Sequence, residues 1–186
     1  MTYYDTVRLV DAYAKHRFQA IVDAAGLVAL FQSAFGPDRI ASTEFKFIVN
    51  SCQTTFTDAD GGVLYTQEVL STLVLLCDAP WTKRAELLHQ CFKCIGTDAM
   101  SHEDVILAAQ VVAVAMCRLW GTPRWSTKTL TSLAEAIADN AFTKLEKDID
   151  DHVGESDFVA WATDRFRDTR TVGSSDALKG LYHLPV

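Results

Sequence analysis

Apolar residues recur along most of the chain at helical spacing. In DTVRLVDAYAKHRFQAIVDA they fall at Val7, Val10, Tyr13, Ala14 and Phe18, close to a 3.6-residue period, which predicts an amphipathic helix. FGPDR interrupts the pattern, with Gly36 ending one helix and Pro37 preventing its continuation. Ser42 or Thr43 then caps TEFKFIVNSCQTTF, which carries Glu44 in its first turn. TDADGG is a turn rich in residues that tolerate positive φ, and LYTQEVLSTLVLLCD after it is apolar nearly all round, the mark of a central helix. WTKRAELLHQCFKCI, the short break GTDAMSHED and the buried-looking helix EDVILAAQVVAVAMCRLW follow. GTPRWS stops that helix, Ser126 or Thr127 caps KTLTSLAEAIADNAFTKL, and an acidic loop leads into DFVAWATDRFRD and a looser tail. Period-two alternation is nearly absent. At most, two or three residues around Val28, Leu64 and Val153 are expected to pair as small ribbons, and the fold class is all-α.

Composition narrows the picture. The chain has 186 residues, of which 49% are hydrophobic, enough for a folded core. A net charge of −7 with no basic stripe argues against nucleic-acid binding. No apolar run reaches membrane-spanning length, and MTYYDTVRLV has neither the layout of a secretory signal nor a Met-Gly start. Cys52, Cys77, Cys91, Cys94 and Cys117 are odd in number and sit in apolar contexts, as expected for reduced, buried thiols in a cytoplasmic protein. Cys91 and Cys94, with His89 and His102 nearby, lack the second paired motif that a zinc site usually has. No Gly-rich phosphate loop and no local signature of a catalytic triad is present, so the chain is not expected to be an enzyme.

The remaining rhythm is helix, polar loop, helix, repeated. EKDIDDHVGESD (146–157) packs six carboxylates into twelve residues. An EF-hand calcium loop places oxygen ligands at positions 1, 3, 5, 7, 9 and 12, a Gly at 6 and an apolar residue at 8. In that frame Glu146, Asp148, Asp150, His152 and Asp157 stand at positions 1, 3, 5, 7 and 12, with Val153 at 8. TDADGGVLYTQE (57–68) puts Gly62 at 6, Leu64 at 8 and Glu68 at 12. IVDAAGLVALFQ (21–32) puts Gly26 at 6 and Val28 at 8, and GTDAMSHED, with Met100 at the apolar position, reads as three residues too short. On these spacings the chain resembles the EF-hand superfamily over residues 15–166. The long interval before the fourth loop, containing LWGTPRWSTKTL, is similar to that of the neuronal calcium sensor and calcineurin B relatives.

The resemblance implies two pairs of degenerate helix-loop-helix units with a long connection between the third and fourth. The expected lobes are 1–80 and 81–168, followed by a tail at 169–186. It also implies an apolar groove that receives an amphipathic helix from a partner protein. Leu73, Leu76, Trp81, Trp120 and Trp125 are the candidate groove residues, and ALKGLYHLPV in the tail could cover the groove in cis. The loops depart from the family's ligand set. Glu146 replaces a shorter Asp at position 1, and Asp151 occupies the position where Gly turns the chain freely, at a cost of roughly 1 kcal/mol. Asp157 is one methylene short of the bidentate Glu, which favours weak Mg²⁺ over Ca²⁺. The leading expectation is therefore a calcium-independent adaptor, in the cytoplasm and in a signalling or cytoskeletal assembly. The alternatives are a Ca²⁺- or Mg²⁺-responsive sensor or buffer using the fourth loop, and a structural helical subunit of a larger complex.

Overall fold

A computed structural model describes residues 2–16, 21–56, 63–93, 97–120 and 125–167. These residues are overwhelmingly helical, and the chain divides into two compact units, Met1–Asp78 and Ala79–Val186. No described helix is long and apolar enough to cross a membrane.

The first unit runs α1 (Tyr3–His16), β1 (Ile21–Asp23), α2 (Ala24–Phe35), α3 (Pro37–Ile40), α4 (Thr43–Phe56), β2 (Val63–Tyr65) and α5 (Thr66–Leu76). Helix α1 packs on α2 and α5, and α4 packs on α2 and α5. The core collects Leu9, Leu27, Leu30, Phe31, Leu64, Val69 and Leu70, each at most 1% exposed. Strands β1 and β2 pair antiparallel, with Val22 opposite Leu64. Leu64 lies at its expected place in a ribbon. Its partner is Val22 rather than Val28, and Ile21–Asp23 form a strand instead of continuing the first helix.

The cause is local. Asp23 caps α2, its Oδ1 accepting from the Gly26 N–H at 2.7 Å, so Val28 is committed to the helix. The β-branched pair Ile21–Val22 is left just ahead of the cap, where extended backbone suits it. Gly26 therefore serves the first turn of α2, not the middle of a loop. A Cβ at Gly26 would lie 2.8 Å from the Cβ of Val22, so a glycine is what lets β1 lie against the start of α2.

The second unit runs α6 (Trp81–Phe92), β3 (Ala99–Met100), α7 (His102–Trp120), α8 (Thr127–Lys144), β4 (Val153–Gly154) and α9 (Glu155–Arg167). Helix α7 packs along α8, and α6 packs along α9. Strands β3 and β4 pair antiparallel with Met100 opposite Val153, both nearly sealed from solvent at 0% and 1% exposure. Helix α6 ends at Phe92 with Lys93 in extended backbone, and residues 94–96, where the expected short break begins, lie outside the described residues. Counted back from the paired residues, Lys93 is to Met100 as Glu146 is to Val153.

Candidate functional site

The acidic segment is built by the way α8 stops. The Lys147 N–H donates to the Phe142 carbonyl at 2.9 Å and the Glu146 N–H donates to the Thr143 carbonyl at 3.2 Å, the pair of bonds that defines a Schellman C-cap. Glu146 is the left-handed residue of this cap, with φ 54°, the one described non-glycine residue at positive φ. The next turn closes on itself. Asp151 Oδ2 accepts from the Asp148 N–H at 2.8 Å, and the Asp151 N–H returns to the Asp148 carbonyl at 3.0 Å. Lys147 Nζ stands 3.5 Å from Asp157 Oδ2.

Of the five ligand candidates, Glu146, Asp148, Asp150 and His152 are exposed and Asp157 is half-buried. The first four lie between α8 and β4 and Asp157 in the first turn of α9, and no three His, Cys, Asp or Glu side chains among the described residues converge as a metal-binding group. Lys147 stands against the Asp157 carboxylate, and Asp151, which is not among the five candidates, is bonded to the backbone.

The other chemistry-bearing candidates are dispersed. Cys52, Cys77, Cys91 and Cys117 are buried free thiols, and burial pushes Cys52 and Cys91 up to about 12. Cys94 lies outside the described residues. His102 Nε2 is 2.9 Å from Asp139 Oδ1 and its ring meets Phe142 edge-on at 4.9 Å, tying α7 to α8. His89 is 1% exposed and packs against Phe158 of α9 with ring centroids 5.7 Å apart.

The expected groove residues separate by exposure. Leu73 is buried at 8%, a core residue of the first unit, whereas Leu76 at the end of α5 is 62% exposed. Trp81 and Trp125, in the second unit, are half-buried. The Arg84 guanidinium sits 5.0 Å from the Trp81 ring centre, and its Nε donates to the Ala79 carbonyl at 2.9 Å. The Trp120 side chain, residues 57–62 and the tail at 169–186 lie outside the described residues.

A concave surface that the sequence reading did not single out lies in the second unit. Thr82 from the first turn of α6 and Ser156, Val159, Ala160, Thr163 and Asp164 from α9 line a shallow cleft of about 350 Å³. The α9 residues fall at helical spacing, a signal present in the sequence, but small and hydroxyl side chains did not register as an apolar stripe. The Thr163 hydroxyl oxygen is buried there without a hydrogen-bond partner. Comparison of the chain with protein-family models, curated proteins and solved structures returned no match.

Proposed function

We propose that this chain is an EF-hand-like interaction module that works without calcium and docks a helical segment of a partner protein. The supporting observation is the twofold recurrence of one device. In each unit two inter-helix segments are joined by a short antiparallel ribbon, Val22 against Leu64 and Met100 against Val153. In an EF-hand frame all four are position-8 residues. That frame starts the first loop at Lys15 and the third at Lys93, cations where a ligand would stand, so the loops keep the scaffold and lose the chemistry. In the fourth, Asp157 faces Lys147 and Asp151 is bonded to its own backbone.

Small side chains along α9 support docking there, because they let a second helix approach closely. The test is a titration of the metal-stripped full-length chain with a panel of amphipathic helical peptides, in chelator and then in Ca²⁺ and Mg²⁺. The expected result is binding unchanged by metal and weakened about tenfold by Ala160→Arg, roughly the 1.4 kcal/mol that one misfitted contact removes. Binding that requires Ca²⁺ would replace this reading with the sensor alternative. Absence of peptide binding in every condition would favour a structural subunit.

A further inference from the structure

We draw no further inference here: the strongest candidate, the shallow cleft between the first turn of α6 and the outer face of α9 in the second unit, belongs to the docking surface already described, and nothing in the structure shows what covers it.

Discussion

The two units solve the same packing problem, and one buried titratable group in each, Asp5 and His89, is treated in the opposite way. In the first, Asp5 is 6% exposed and fully served. The Thr2 N–H and hydroxyl donate to its Oδ2 at 3.0 and 2.8 Å, and Arg39 Nη2 donates to its Oδ1 at 2.8 Å. Arg39 in turn lies over the rings of Phe35 and Phe45, 5.3 and 4.9 Å from their centres, so one cation joins α1, α2, α3 and α4. In the second unit His89 is 1% exposed, and neither ring nitrogen has a partner in good hydrogen-bond geometry. Burial lowers its pKa, while the Val153 backbone and the Glu155 carboxylate 3.9 Å away favour its charged form. A satisfied buried charge acts as a fastener, because removing its partner leaves a desolvated charge behind. An unsatisfied neutral group is tolerated only while it stays neutral.

The apolar ribbon residues offer the largest effects, and they test whether the units are alike beneath this electrostatic difference. Leu64 and Met100 are each 0% exposed. Leu64→Ala and Met100→Ala are each expected to cost about 2–5 kcal/mol in denaturant unfolding, the range for truncating a sealed core side chain. Hydrogen exchange would locate the loss in the first unit for Leu64→Ala and in the second for Met100→Ala. A cost under about 1 kcal/mol for either, the scale of a surface change, would mean that its ribbon is peripheral to that unit's core.

The fastener is next in size. Arg39→Ala should destabilise the chain by about 1–3 kcal/mol, below the full cost of breaking a buried pair because the Arg39 side chain is 44% exposed. Burial raises the Asp5 pKa, but the Thr2 hydrogen bonds and Arg39 outweigh it and hold the carboxyl below its usual range. Its contribution to stability is therefore fully present above about pH 4, the unfolded value, and falls away as acid carries the pH down through the folded one. Stability measured against pH should decline in two separate windows, beginning near pH 6.5 for His89 and near pH 4 for Asp5. Asp5→Asn should flatten the lower window alone. If it also alters the upper one, the two groups are coupled and the contrast between the units fails.

How far the sequence carried this picture depends on the kind of signal. Long periodic segments such as EDVILAAQVVAVAMCRLW yielded helices where expected, because a stripe recurring over many turns leaves little choice. Leu64 and Val153 were placed in ribbons correctly because turn-forming residues flank them. Val22 was not, since IVDA continues a helical pattern as well as it forms a strand. What decides it is the Asp23 cap and the pairing with a segment far along the chain. The acidic loop was legible as a break between two helices. That Lys147 would reach Asp157, and Asp151 the backbone, depends on a turn that composition does not specify. His89 stood beside Cys91 in the sequence as a possible zinc neighbour, and only the packing of α6 on α9 gives it Phe158 and Glu155 instead.

The smallest effect concerns the acidic loop and has the opposite sign. Glu146 ends α8 in the left-handed region, where a Cβ crowds the following carbonyl and glycine suffers no such penalty. Its side chain is exposed, and among the described contacts it makes no ion pair that would be lost. Glu146→Gly keeps the two backbone bonds of the cap and removes the strain. Part of that gain is offset by the greater freedom of glycine in the unfolded chain. The net expectation is a stabilisation of about 0.5–1 kcal/mol, read as a rise in the denaturation midpoint with an unchanged slope. The same substitution removes the residue at position 1 of the calcium frame, so the two uses of this loop predict different outcomes. If Glu146 serves as a cap, the variant is more stable in chelator and in Ca²⁺ alike. If it serves as a ligand, the gain in chelator is accompanied by the loss of any stabilisation that Ca²⁺ confers on the parent chain.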